Sequence, residues 1–231
     1  MIRRDYILRM VEELAQMLGR VVSLKDRQEY EQAMREIGLA LAQLEKTPAG
    51  DPNTAPLEHW LALCAKETAA HGPLLIAVAD LLNEQGELLQ LQNKVSESRR
   101  SQAIAIGLYV EAILGGHSFV SVELLDRIET LLARVSGTPL PASVLRRLLG
   151  YFEARGRFAQ AENTFYDWLE TGDTDAATEG AAFYERLAGK TDAELERGGL
   201  PRAEAEQGRR DLQNKRWPMF RDQPRSGQAP T

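Results

Sequence analysis

Cysteine and histidine are scarce in this chain, and their scarcity narrows the chemistry it can perform. The 231 residues include one cysteine, Cys64, so no internal disulfide can form, which is typical of a reducing compartment. The three histidines, His59, His71 and His117, show no H-x-x-x-H spacing. Cys64, Glu67 and His71 fall on one face of a predicted helix, but ligands spread over about 10 Å are too far apart for one ion. We therefore expect no metal site and no cofactor.

Motifs of common enzymes are also missing. The chain has no P-loop, no dinucleotide-binding glycine pattern and no nucleophile elbow. Aromatic residues make up 6% of it, and glycine and proline number 18 and 10. Leu, Ala, Glu, Arg and Gln dominate, and these residues lose little conformational entropy in a helix. The composition therefore predicts a globular all-α protein, and we do not expect an enzyme.

Positive charge is in deficit. There are 28 Lys and Arg residues against 34 Asp and Glu residues, which gives a net charge of −6 and a pI near 5.3. Nucleic-acid affinity depends mainly on clustered cations that neutralise phosphates, so a nucleic-acid partner is not expected. A weak nucleic-acid binder that uses Arg99, Arg100 and a basic tail is the alternative.

Long apolar runs are absent as well. The most apolar stretch, residues 103–120, is interrupted by Glu111 and closed by a Gly-Gly-His run, whereas a membrane helix needs about 20 apolar residues. We expect no secretory signal, because Glu12 and Glu13 break the apolar character of the first segment. We expect no membrane segment and place the protein in the cytoplasm.

The N-terminal residues 1–46 predict a helical hairpin. Apolar residues recur in alternating steps of three and four from Ile7 to Leu24, and again from Tyr30 to Leu44. The polar segment from Ser23 to Glu29 separates the two stripes. The hairpin either packs on its own protein or forms a homodimer through its coiled-coil-like seam. Residues 47–56 follow with three prolines and one glycine, and they are predicted to be a linker.

Residues 57–213 predict a larger helical domain. Prolines suited to a first helical turn are expected to start helices near residues 57–71 and 74–85. The second of these is expected to stop before Gly86. The polar stretch 92–101 either continues this helix or breaks it, and another helix is expected to begin near its end.

Residues that favour helix starts recur in the second half of the chain. Ser121 is predicted to cap one helix, and Pro141 to open the next. Thr191 and Glu194 have the spacing of a capping box.

Residues 144–170, VLRRLLGYFEARGRFAQAENTFYDWLE, resemble a tetratricopeptide repeat, in which two antiparallel helices meet at a turn glycine, here Gly156. Leu149 and Trp168 depart from the family pattern, which favours small residues there, so this pair is expected to pack unusually or to end a stack. A weaker echo surrounds Gly86, about two repeat lengths earlier. The matching residues are Leu145, Leu148 and Phe152 in the first helix, and Phe158, Ala161 and Phe165 in the second.

This resemblance implies an interaction or scaffold module that offers a concave surface to a peptide or a partner protein. The groove-facing positions of the first helix would be Ser143, Arg146, Gly150 and Glu153. Their mixed charge does not reproduce a clamp of several cations, and an ordinary exposed face is the alternative interpretation.

The last residues, 214–231, predict a basic tail with four cations and one Asp. Trp217, Met219 and Phe220 place large apolar groups in it. These side chains either dock into a partner or pack across their own domain.

Glu111 is the one carboxylate in the apolar central segment. If buried, it must be protonated or paired with Arg99, with Arg100 or with an arginine of another helix. A structural ion pair and a catalytic acid in a site assembled from distant residues are the two hypotheses.

The opening, MIRRDYILRMVEELAQML, resembles the start of an uncharacterised family of bacterial helical proteins with a D-Y-I-x-R entry. The resemblance implies helical architecture and a bacterial origin, and it adds no activity.

Overall fold

The computed structural model describes residues 2–44, 55–65, 71–116 and 121–214. These residues form eleven α-helices and contain no β-strand, so the all-α prediction is confirmed. The helices are α1 (Ile2–Asp26), α2 (Tyr30–Leu44), α3 (Leu57–Ala65), α4 (His71–Leu91), α5 (Val95–Leu114), α6 (Val122–Arg134), α7 (Ala142–Ala154), α8 (Phe158–Glu170), α9 (Thr174–Ala188), α10 (Asp192–Arg197) and α11 (Arg202–Gln213).

The N-terminal hairpin is present and packs on its own protein. Helices α1 and α2 lie against each other, and both contact α4. The apolar stripe of α1 faces inward, with Leu14, Met17, Val21 and Leu24 buried in a hydrophobic core that extends to α11. A homodimer through the hairpin stays a prediction, although these residues of the seam that would mediate it are buried within the protein.

Two chain reversals are tighter than predicted because residues other than glycine adopt a positive φ. Gln28 (φ 63°) lies between α1 and α2, and Asn93 (φ 60°) lies between α4 and α5. Asparagine tolerates this conformation because its short amide can hydrogen-bond locally. The polar stretch 92–101 therefore breaks the helix at its start, and α5 begins at Val95.

The expectation that a helix stops before Gly86 and that this glycine marks an earlier repeat is wrong. Helix α4 continues through Gly86 to Leu91, and α5 crosses it at this glycine. A Cβ at position 86 would lie 2.6 Å from Gln102 Cγ and 3.2 Å from the Ser98 carbonyl oxygen. Gly86 thus permits a close approach of two helices, which is the second common use of glycine besides turns.

The predicted helix starts in the second half are confirmed. The Ser121 hydroxyl accepts a hydrogen bond from the Leu124 N–H at 3.2 Å, and Pro141 immediately precedes α7. Thr191 and Glu194 form the capping box, in which the Glu194 carboxylate accepts from the Thr191 N–H at 2.8 Å.

The segment that resembles a tetratricopeptide repeat forms the antiparallel pair α7 and α8, with Gly156 (φ 69°) in the turn. Ala161 and Phe165 are fully buried, as the resemblance implies. Trp168 is fully buried too, and its indole N–H donates to the Asp173 carboxylate at 3.1 Å. Because Asp173 caps α9, the departure at Trp168 fastens this pair to the next helix.

Part of the predicted organisation lies outside the described residues, namely most of the linker 47–56, Glu67, His117 and the tail beyond Asn214. Within the predicted helix over 57–71, Cys64 lies in α3, which ends at Ala65 among the described residues, and His71 is the first residue of α4. No helix in the described part of the chain is long and apolar enough to cross a membrane.

Candidate functional site

The N-terminal half of α5 separates two cavities, and Arg99 lines both of them. The first, of about 490 Å³, lies among the ends of α1, α4 and α6. The second, of about 550 Å³, lies between the starts of α3 and α7. Both volumes fall in the range of ordinary ligand sites. We name the two cavities, together with Arg99 between them, the α5 groove.

Helix α5 presents this surface because its opposite side is fixed against α4. The buried Ser98 hydroxyl donates to the Gly86 carbonyl at 2.7 Å, and the buried Ser101 hydroxyl donates to the Gln85 side-chain oxygen. These bonds satisfy hydroxyls that would otherwise be costly to bury. The rotation of α5 that they set leaves Val95 and Arg99, one turn apart, on the outside.

The wall of the first cavity carries a network of paired charges. Lys25 of α1 binds Glu87 at 2.7 Å, and Arg134 of α6 binds the same carboxylate at 2.6 Å. Burial alone would raise the pKa of Glu87, but hydrogen bonds from Arg134 and Lys25, with their positive charges, hold the pKa below its usual value. The network joins the ends of three helices and leaves little net charge on this wall.

Arg99 differs from these cations. Its side chain is exposed, and no ion-pair partner for it is found within residues 2–44, 55–65, 71–116 and 121–214. The neighbouring apolar side chains Leu91 and Val95 are 51% and 38% exposed. The α5 groove therefore combines an available positive charge with accessible apolar surface.

The predicted partner-binding residues are only partly brought together. Ser143 lines the second cavity of the groove. Arg146 lies 3.7 Å from the Asp175 carboxylate, and Glu153 binds Arg186 at 2.6 Å, so both are engaged by α9. Position 150 faces α5, where a Cβ on Gly150 would lie 3.6 Å from Leu114. Trp217, Met219 and Phe220 lie outside the described residues.

Comparison with family models places the chain in context. A model for a family of unknown function, DUF6483, matches residues 1–216. The chain belongs to the DUF6483 family. No curated protein and no solved structure shows significant similarity to it. For this DUF6483 chain, any functional inference must therefore come from its own residues.

Glu111 of the DUF6483 chain is held in an ion pair. The Arg147 guanidinium of α7 donates to its carboxylate at 2.8 Å, so the partner comes from another helix and is neither Arg99 nor Arg100. Glu111 lines neither cavity of the α5 groove. The arrangement fits the hypothesis of a structural ion pair.

Cys64 is poorly placed to act as a nucleophile or a metal ligand. It is fully buried in α3, and burial raises the pKa of its thiol to about 12. Within the described residues no three His, Cys, Asp or Glu side chains are grouped as a metal site would require.

Sequence reasoning missed most residues of the groove, including Lys25, Leu91, Val95 and Arg134. Leu91 and Val95 flank the polar turn after α4, and two apolar residues beside such a turn were the available signal. Lys25 and Arg134 carried none, because their proximity arises from the packing of α1 and α6 on either side of α4 and α5.

Proposed function

We propose that this protein is a non-catalytic interaction module whose α5 groove binds an acidic, partly apolar segment of a partner protein. The tetratricopeptide-like pair α7–α8 would supply one wall of the groove through the start of α7. The observation that carries the proposal is the exposed Arg99 between two cavities, without an ion-pair partner in the described residues.

The shape of the groove favours an extended segment over a compact ligand. Two cavities on either side of one side chain suit a chain that places a side chain in each and passes over Arg99 between them. Exposed Leu91 and Val95 would contact apolar groups of that segment, and Arg99 would bind a carboxylate. Charge complementarity of this kind mainly supplies specificity and association rate.

The same residues argue for a binding function instead of catalysis. Glu111 is already paired, Cys64 is buried with a raised pKa, and the carboxylates near the first cavity are neutralised by Lys25 and Arg134. Such a site offers no nucleophile next to a base. We place the protein in the cytoplasm, a proposal supported by its lone, reduced cysteine.

The test is a selection of displayed random dodecapeptides on the full chain, followed by titration of the enriched peptides by fluorescence anisotropy. We expect enrichment of peptides that combine Asp or Glu with large apolar residues. Arg99→Glu should weaken their binding by about tenfold or more, because attraction is replaced by repulsion. Val95→Asp should weaken it as well.

The matched control is Arg35→Glu, the same charge reversal at an exposed position on α2, which lines neither cavity of the groove. Peptides that bind the Arg99→Glu variant as tightly as the wild type, or that lose affinity equally in the Arg35→Glu variant, would refute the proposed groove.

A further inference from the structure

A half-buried carboxyl, Glu162 of α8, lies beneath the last described helix, α11. The Tyr184 hydroxyl of α9 donates to the Glu162 carboxyl at 2.7 Å, and the Tyr166 hydroxyl lies 3.2 Å from that of Tyr184. Gly208 of α11 covers this group so closely that a Cβ there would lie 2.4 Å from the Tyr184 hydroxyl oxygen and 2.6 Å from a Glu162 oxygen. Three helices therefore meet at one carboxyl group.

Beyond its first turn, helix α11 has little else to hold it in place. Its buried residues are Ala205, Gly208 and Leu212, which present a small apolar face. At its first residue, the Arg202 guanidinium donates to the Asp192 carboxylate and to the Lys190 carbonyl oxygen. Further along, Arg209 pairs with Glu185 of α9, and both of these side chains are exposed. Exposed pairs of this kind contribute little to stability. The docking of α11 thus depends strongly on the state of the polar cluster below it.

We propose that α11 is a pH-controlled closing helix, held on α8 and α9 while the Glu162 carboxyl is protonated and loosened when that carboxyl ionises. A proton on Glu162 leaves a neutral cluster that Gly208 can cover without water. A negative charge at the same place must be hydrated, and hydration requires α11 to move away.

The surroundings of the carboxyl support this direction. The pKa of Glu162 is influenced by Tyr184 of α9 and by Glu204 of α11. The pKa of the Tyr184 hydroxyl is influenced by Tyr166 of α8, and that of the Tyr166 hydroxyl by Asp211 of α11. Burial raises the pKa of Glu162 to about 7, and repulsion from Glu204 adds to the rise, whereas the hydrogen bond from Tyr184 opposes it.

The raised pKa of Glu162 makes the docking of α11 depend on pH. With α11 docked, Glu162 keeps its proton up to about pH 7, whereas in the undocked, hydrated state its pKa lies near the ordinary value of 4.5 for a Glu carboxyl. The docked state therefore binds more protons between these values, and docking weakens as the pH rises through this interval. Linkage between the two pKa values makes the docking equilibrium at least about tenfold less favourable at pH 8 than at pH 5.

Hydrogen exchange of the full chain at pH 5 and pH 8, corrected for intrinsic exchange rates, tests the proposal. The protection of α11 amides relative to those of α4 should fall about tenfold or more at the higher pH. In the Glu162→Gln variant, which keeps an acceptor for Tyr184, this fall should vanish. Glu170→Gln, at the exposed end of the same helix, should leave it intact.

A second variant protects the test against a folding defect in Glu162→Gln. Tyr184→Phe removes a hydroxyl that stabilises the ionised carboxyl, so the fall in α11 protection should become larger. Equal α11 protection at both pH values in the wild type, or a pH dependence that persists in Glu162→Gln, overturns the proposal.

Discussion

The crossing of α4 and α5 allows a sharp prediction, because the same substitution should have opposite effects at two helical glycines. Gly38 of α2 has open space where a Cβ would be placed. Gly38→Ala should therefore raise the free energy of unfolding by about 1 kcal/mol, the difference in helix propensity between the two residues. Gly86 lies in the middle of α4, so its substitution brings the same gain.

At Gly86 the gain is outweighed by overpacking. The added methyl group would lie 2.6 Å from Gln102 Cγ, an atom near the base of a side chain that is 4% exposed, so the whole side chain would have to move. The Ser98 carbonyl oxygen, at 3.2 Å, belongs to the α5 backbone and moves only with the helix. Inserting a methylene into such a contact costs about 2 kcal/mol, so Gly86→Ala should lower the free energy of unfolding by about 1 kcal/mol net.

Urea denaturation followed by far-UV circular dichroism measures the contrast. The two variants should differ by about 2 kcal/mol, which corresponds to about 1 M urea in their midpoints. If Gly86→Ala were as stable as Gly38→Ala, the close crossing that orients Arg99 and Val95 toward the α5 groove would be wrong.

Three further predictions concern other contacts. Gly180→Ala should lower the free energy of unfolding by about 3 kcal/mol, measured by the same denaturation, because its Cβ would lie 2.0 Å from the fully buried Phe165 ring; a neutral effect would contradict this packing. A double-mutant cycle of Glu111→Gln and Arg147→Gln should give a coupling of less than about 1 kcal/mol, since the carboxylate is 33% exposed; a coupling of several kcal/mol would mean a buried pair. Cys64 should react with a chromogenic disulfide reagent at neutral pH only after denaturation, because burial raises the pKa of its thiol to about 12; rapid labelling of the native protein would show that α3 opens.

The parts of the fold that the sequence predicted correctly depend on local interactions. The Ser121 cap joins residues three apart in sequence, and so does the Thr191–Glu194 capping box. Apolar residues at helical spacing predict the hairpin of α1 and α2. Interactions within one or two turns leave a pattern that can be read along the chain.

The parts that the sequence did not predict depend on which helices become neighbours. Gly86 was interpreted as a turn residue, yet its role comes from α5, whose Ser98 and Gln102 leave no room for a side chain. Arg146 and Glu153 were assigned to a binding surface, but acidic and basic partners on α9 engage them. The sequence singles out Arg99 as a cation for nucleic acid or as a partner of Glu111, but its position between two cavities comes from helix packing, which no spacing rule encodes.

The way the N-terminal hairpin covers α4 has a practical consequence for anyone who wishes to shorten this protein. A fragment that starts after the proline-rich segment would expose the side of α4 that Leu14, Met17 and Val21 help to shield, as well as the end of α4 where Lys25 meets Glu84 and Glu87. Such a fragment would expose an apolar surface with unpaired carboxylates to solvent, and we expect it to aggregate. A ligand that bound such a fragment could bind this newly exposed side of α4 instead of the α5 groove. Binding to the groove should therefore be measured on the full chain.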